Sequence, residues 1–279
     1  NNNFTKFLIF IMVKKRLIPV LLLKNGWLVQ SKKFTEYKNL GNPITAVKRL
    51  SEWAADELIY LDISSGNIYD IKREDQAYPN RNNLLEIISD VSKNAFMPIT
   101  IGGKIRNLEN INQYLKNGAD KISINQITRN NPKFVQDSSK EFGSQCIVVS
   151  VDTKLVDGIH YLYAYEENKI LEIKVLDWVL KMQDFGAGEI FLNSVDRDGM
   201  QIGYDIDLIS TVSDRLNIPV IACGGAGGWD DFSDVLTNTN AKAVAAANIF
   251  HYKDQSVYLA KKHLFEKNIY VRKPFLIDI

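Results

Sequence analysis

Apolar residues along this chain come in short unbroken runs, each followed by a polar turn and then by a segment whose apolar positions recur three and four residues apart. The sharpest run is Gln145 to Lys154 (QCIVVSVDTK), which is apolar on both faces and ends abruptly in Asp152 and Lys154. A run of that kind reads as a strand covered on both sides, as in a parallel sheet, and chemistry in such sheets sits at the C-terminal strand ends. A matching run, Leu17 to Lys24, has Leu22 where the later one has Asp152. Further strands are expected at Leu58 to Ile63, Pro98 to Ile101, Lys121 to Asn125, Ile190 to Asn193, Pro219 to Cys223 and Ala243 to Ala247. Helical spacing marks Pro43 to Ala55, Leu84 to Ser92, Leu108 to Asn117, Asp177 to Phe185, Asp205 to Leu216, Trp229 to Leu236 and Ser256 to Phe265. Ser31 to Asn42 reads as a polar loop over the active face, and Ser64 to Asn83 as a long loop, functional or mobile.

Eight strand–helix units imply an α/β fold with a parallel sheet, and eight is the number that closes into a (β/α)8 TIM barrel. An internal repeat favours closure over an open sheet. Ala55 to Ile59 (ADELI) matches Ala187 to Phe191 (AGEIF) at an offset of 132 residues, and Phe96 to Gly103 matches Ile218 to Gly225, offset by 121 at the prolines. Two half-barrels of four units place Gly102-Gly103 and Gly224-Gly225 on opposite sides of one mouth, an arrangement suited to a substrate with two anionic ends. Residues 12–279 then form one barrel domain, with 1–11 an appendage ahead of Met12.

Charge changes the picture by exclusion. With 34 basic and 33 acidic residues and no long single-sign run, the chain lacks the footprint expected for nucleic acid or an anionic membrane. A small molecule or a protein partner is the expectation. The run Phe7 to Met12 is far shorter than the ~20 apolar residues of a membrane helix and lacks a cleavage site. Cys146 and Cys223 both lie in apolar runs, as suits reduced thiols in a cytoplasmic protein.

Candidate chemistry gathers at the strand ends. Glycines just past a strand let backbone N–H groups approach a phosphate, so Gly224, Gly225 and the following Ala226-Gly227-Gly228 form one candidate anion site, with Gly102, Gly103 and Lys104 as its first-half counterpart. The alternative is a tight turn that binds nothing. Asn125 and Asn248 stand beside these turns as amide donors or as simple helix caps. Asp198 and Gly199, in Asp196-Arg197-Asp198-Gly199, are mouth residues or part of a surface turn with a local ion pair. Asp152 is the candidate general acid or base, its alternative being a salt-bridged structural acid. Three dispersed histidines, His160, His251 and His263, suggest no metal, and nothing implies a cofactor. Arg16, Glu57, Lys121 and Glu189 lie at the opposite, N-terminal strand ends, as a solvated rim or as a ring across the barrel axis.

The sequence resembles the HisF family, the cyclase subunit of imidazole glycerol phosphate synthase, from Met12 to about Arg272. The likeness rests on Asp120 to Asn125 (DKISIN), Phe142 to Gln145 (FGSQ), Val149 to Asp152 (VSVD), Ser194 to Gly199 (SVDRDG) and Gly224 to Gly227 (GGAG). It implies a HisH-like glutaminase docked on the barrel bottom near Asp120, and ammonia passing through the barrel to a phosphorylated ligand. The family's gate falls on Arg16, Glu57, Lys121 and Glu189. Of its two catalytic aspartates, one falls on Asp152, whereas Leu22 replaces the other. Lys104 replaces a glycine of the first-half phosphate turn, and Gln30 replaces a lysine of the strand-one loop. Leu21 to Gly26 (LLLKNG) looks like a HisF-like branch that amidates surface sugars together with a glutaminase and a separate sugar amidotransferase. The resemblance therefore implies an ammonia-delivering subunit acting on a sugar or sugar nucleotide. The alternatives are a histidine-pathway cyclase (a lyase) that tolerates Leu22, and a non-catalytic scaffold.

Overall fold

The computed structural model describes residues 13–66, 69 and 83–276. The expected appendage 1–11 and most of the loop expected at Ser64 to Asn83 lie outside them. Strand β1 (Arg16–Lys24) is apolar from Leu17 to Leu23 because both its faces are covered. Asn25-Gly26, with φ of 51° and 79°, turns it into an antiparallel hairpin of β2 (Trp27–Lys32) and β3 (Glu36–Gly41). Positive φ at both turn positions is the geometry that matches strand twist, and Asn-Gly is the pair that adopts it at least cost. The loop expected at Ser31 to Asn42 is thus largely a strand pair. Strand β3 is mostly exposed and polar, so no apolar alternation announces it.

The chain continues through α1 (Pro43–Glu52), β4 (Leu58–Asp62), α2 (Leu84–Asn94), β5 (Ile99–Gly102), α3 (Leu108–Lys116), β6 (Lys121–Ile124), α4 (Gln126–Asn130) and α5 (Lys133–Phe142). Asparagine caps start three of these helices: Asn42, Asn83 and Asn107 accept from the backbone N–H of Ile44, Glu86 and Asn110. The second half comprises β7 (Ile147–Val156), β8 (Ile159–Ala164), β9 (Lys169–Lys174), α6 (Val175–Asp184), β10 (Glu189–Ser194), α7 (Ile206–Ser213), β11 (Val220–Cys223), α8 (Trp229–Asn238), β12 (Ala243–Ala246) and α9 (Ser256–Glu266). Here again the first barrel strand extends into a hairpin, through Asp157-Gly158 with φ of 48° and 79°.

Eight parallel strands run β1-β4-β5-β6-β7-β10-β11-β12, and β12 pairs back onto β1 from Arg16↔Ala243 to Pro19↔Ala246. The fold is a TIM barrel. Alternation along each strand divides its apolar residues between two layers. Ile18, Val20, Ile59, Val148, Phe191, Ile221 and Ala245 fill the barrel, with Leu22 and Leu61 packed on them toward the top. Leu17, Leu21 and Leu23 point outward with Val47, Leu50 and the other helix faces. Each such fully buried side chain contributes roughly 1.5–3 kcal/mol. The C-terminal segment is pinned to the bottom by charge: fully buried Lys261 donates to the Ala54 carbonyl at 2.5 Å and Asp56 at 2.8 Å, and Arg272 donates to the carbonyls of Ala54 and Ala55.

Candidate functional site

Asp152 ends the core of β7 at the top of the barrel, in register with Asn193 of β10. Its carboxylate accepts from Asn125 Nδ2 at 2.7 Å and more distantly from Asn193 Nδ2 at 3.5 Å. Burial raises its pKa to about 6, against the lowering effect of those amides and of the Arg129 charge. Among the described residues no cation contacts it directly, so within them it is not a salt-bridged structural acid. Asn125 holds the N-cap position of α4 but makes no capping bond, so its amide serves the carboxylate rather than the helix. Asn193 Oδ1 is a buried acceptor without a donor among the described residues.

On the second-half side, the β2–β3 hairpin lies across the mouth. Ser31 Oγ donates to Asp198 at 3.0 Å, and Asn248 Nδ2 donates to the Ser31 carbonyl at 2.6 Å. Burial raises Asp198 to about 6, against hydrogen bonds from Ser31, Phe34 and Lys33. The acids flanking Arg197 do not pair with it: Asp196 accepts from Leu155 N at 2.9 Å, while Arg197 reaches the Gly203 carbonyl at 3.2 Å and Asp205 at 3.7 Å. This corrects the local-ion-pair alternative. Gly199 packs directly beneath Ser31. Gln30 donates to the Tyr252 hydroxyl.

The two glycine turns have a packing reason of their own. Gly103 and Gly224 have φ of 98° and 95°, and a Cβ on them would lie 2.2 Å from the Asp62 carbonyl oxygen and 2.6 Å from that of Ser194. Only glycine meets both demands. At the second turn the N–H groups of Gly227 and Gly228 already donate to Asp231, at 2.7 and 2.8 Å. At the first, Lys104 is not the mobile charge that a lysine in a phosphate turn suggests. Its Nζ lies 3.1 Å from the fully buried Asp62 carboxylate and donates to the Gly66 carbonyl, while Tyr69 donates to the same carboxylate at 2.8 Å. Leu22 is packed on the barrel's interior cluster.

At the bottom the four charges close into a circuit. Arg16 meets Glu57 at 2.6 Å and Glu189 at 3.1 Å, and Lys121 meets Glu57 at 3.0 Å and Glu189 at 2.8 Å. These side chains are only 10–17% exposed, so they form a ring and not a solvated rim. Burial would lower the Arg16 pKa, but the two glutamates reverse this and raise it. Asp120, exposed beside Lys121, accepts from Ile99 N at 2.8 Å.

Comparison with known proteins settles the kinship of this arrangement. The profile of the histidine biosynthesis protein family matches residues 16–256. The chain belongs to that family. It is 41% identical to a Vibrio vulnificus protein provisionally named imidazole glycerol phosphate synthase subunit hisF2, over 94% of this chain and 93% of that one. It is 39% identical to imidazole glycerol phosphate synthase subunit HisF of Hydrogenobaculum and to that of Natranaerobius thermophilus, in each case over 94% of this chain and all of the relative. This HisF-like barrel therefore spans essentially the full length of its relatives.

Within the HisF-like frame, the structure gathers Asp152 and Asn125 at one side of the mouth, and Asp198, Gly199 and Asn248 at the Ser31 contact of the hairpin. Sequence reasoning missed Arg129, Glu166, Asn193 and Ser31. Arg129 follows Asn125 by four residues, a spacing that puts both on one side of a helical turn. Glu166 and Ser31 sit in hairpins that polar sequence does not reveal. Among the described residues no group of three His, Cys, Asp or Glu comes together to hold a metal, and no helix is long and apolar enough to cross a membrane. His160 and His263 pair instead with Asp205 and Asp230, and burial lowers His251 to about 4.

Proposed function

We propose that this chain is the ammonia-accepting barrel subunit of a glutamine-dependent synthase of the imidazole glycerol phosphate synthase type, partnered by a HisH-like glutaminase. The observation that carries this reading is the closed ring Arg16–Glu57–Lys121–Glu189 at one end of the barrel, with a buried, elevated carboxylate, Asp152, at the other. Relatives whose names carry imidazole glycerol phosphate synthase support it. Between ring and carboxylate the barrel is lined by apolar side chains such as Val20, Val148 and Phe191, which suit passage of neutral ammonia and oppose ammonium. Val13 and Phe96, exposed at 68% and 64% on the N-terminal strand ends, give the ring's face apolar area for a partner beside Asp120.

In this reading Asp152 exchanges protons with the substrate, Asn125 and Asn193 orient it, and the second-half turn with Asn248 and Gly199 receives a phosphate once the β2–β3 hairpin, through Ser31, lifts from Asp198 and Asn248. The experiment is conversion of the histidine-pathway ribonucleotide by the purified chain with ammonium salt, then with glutamine and the HisH-like glutaminase from the same source. Cyclisation under both conditions is expected, and no cyclisation with either nitrogen source defeats this assignment.

Leu22 favours a second reading, in which the same conduit feeds the amidation of a sugar or sugar nucleotide alongside a separate amidotransferase. Leucine transfers no proton, and Lys104 is held by Asp62, so the first-half side lacks both an open acid and an open turn. Ammonia-dependent amidation of a phosphorylated sugar without ribonucleotide cyclisation would decide for it.

A further inference from the structure

Among the described residues, Arg129 is the buried cation acting on Asp152 that the proposed chemistry does not use. Its guanidinium forks: Nη1 donates to Asn125 Oδ1 at 2.6 Å, and Nη2 donates to Glu166 Oε2 at 2.6 Å. The Arg129 side chain is 9% exposed, whereas Glu166 is 42% exposed in the turn between β8 and β9. Asn125 donates in turn to Asp152 at 2.7 Å. The relay has a direction set by chemistry. Guanidinium only donates, so it must face the oxygen of the Asn125 amide, and an ionised carboxylate only accepts, so it must face the nitrogen. Both requirements select the same amide orientation.

The same turn is tied to the other hairpin. Tyr165 packs edge-on against Phe34 at 5.6 Å, and its hydroxyl accepts from Tyr37 at 3.0 Å. Docking of the β8–β9 turn is therefore read at the carboxylate through three side chains.

We propose that Arg129 and Glu166 are a positioning pair for Asp152: the docked hairpin turn holds the guanidinium, the guanidinium fixes the Asn125 amide, and the amide orients the carboxylate toward the substrate. The pair acts through Asn125 and touches no reacting atom. It rests on the reading of Asp152 as the proton-transferring group.

Two further titratable groups feel the Asp152 charge, Tyr163 of β8 and Cys223 of β11, and burial together with that charge raises both away from neutrality, so neither carries charge there. Arg129 and Glu166 are thus the charges whose removal Asp152 registers, with opposite signs. Loss of the Arg129 cation removes a stabiliser of the carboxylate and raises its pKa, while loss of the Glu166 anion lowers it.

The test is a pH titration of side-chain carboxyl carbons by NMR on the intact labelled chain, with the Asp152 signal assigned by its loss in Asp152→Asn. Arg129→Gln is expected to raise the Asp152 midpoint by on the order of one unit, Arg129→Lys by less, and Glu166→Gln to lower it. A purely structural role would leave the midpoint in place or move it the same way in all three. Either pattern, or an unchanged midpoint in Arg129→Gln or Glu166→Gln alone, overturns the proposal. Should Arg129→Gln fail to fold, the sign in Glu166→Gln, at an exposed turn, still decides. No substrate is needed, so failure of this pair is distinguishable from failure of the synthase assignment.

Discussion

Replacing Lys121 with Met separates a conduit from a mere fastening at the barrel bottom. Lys121 Nζ contacts Glu57 at 3.0 Å and Glu189 at 2.8 Å, and its removal leaves two glutamates sharing Arg16 alone. Breaking a buried ion pair costs about 3–5 kcal/mol because a charge is left uncompensated. The ring side chains keep 10–17% exposure and Arg16 still binds both carboxylates, which brings the expected cost to about 2 kcal/mol. For a chain of this size that corresponds to a fall in Tm on the order of 5 °C. Lys121→Met combined with Glu189→Gln restores the charge balance and should recover part of that loss. With the glutaminase present, Lys121→Met is expected to lose glutamine-dependent turnover while turnover on added ammonium salt persists. Equal loss of both activities would refute the conduit and leave the ring a structural device.

The remaining expectations concern the mouth. The Asp152 pKa rises from 3.8 to about 6 on folding, so its burial costs nothing below pH 4 and is fully felt above about pH 6. Asp152→Asn should therefore abolish turnover yet stabilise the fold at pH 8 by on the order of 3 kcal/mol, with no gain at pH 3.5 in urea titrations; a destabilised variant at pH 8 would contradict the assigned burial. If the ribonucleotide is the substrate and cyclisation is slow, Leu22→Asp should accelerate it by on the order of 10²-fold in initial-rate assays, and no change would show that Leu22 is not the limiting loss. Phosphate titration followed by amide NMR should move Gly225 and Ala226 before Gly227 and Gly228, whose N–H groups Asp231 already occupies; perturbation of the latter alone would place the anion elsewhere.

Barrel and ring were legible because both follow from period and register. Doubly covered strands must be continuously apolar, and a charge placed at or just before the start of each of four parallel strands faces the same end. The ring needed only the closure of β12 onto β1 to become contiguous. The hairpins were not legible for the converse reason: β3 and β9 are edge strands with most side chains in solvent, and no periodic apolar signal survives there. Asp157-Gly158, a turn of the same kind as Asn25-Gly26, was the available clue. The site's secondary contacts depended on those hairpins, so Ser31 against Asp198 and Glu166 against Arg129 could not be drawn from spacing. Glycine motifs carried a different ambiguity. A glycine demanded by a neighbouring carbonyl and one demanded by a phosphate look alike in sequence, and at Gly103 and Gly224 the carbonyl is present.

The two half-barrels have moved apart in charge rather than in backbone. In the first half, Asp62 is held by Lys104 and bonded by Tyr69, and Leu22 adds an apolar surface, so among the described residues the acid on that side of the mouth is tied to a cation. In the second, Asp152 and Asp198 are both raised to about 6 by burial, and among the described residues neither has a directly bonded cation. A reaction needing an acid and a base on opposite faces of one ligand is therefore poorly served by side chains alone. A condensation in which ammonia adds to a carbonyl is served better, because one carboxylic acid can protonate the oxygen and then, as carboxylate, take a proton from the nitrogen. Cyclisation of the ribonucleotide would have to draw its second proton-transfer group from the substrate or from the arriving ammonia. Its rate should then depend on ammonia concentration beyond the first-order demand of the nucleophile. A strictly first-order dependence at full turnover would show that Asp152 and Asp198 suffice between them.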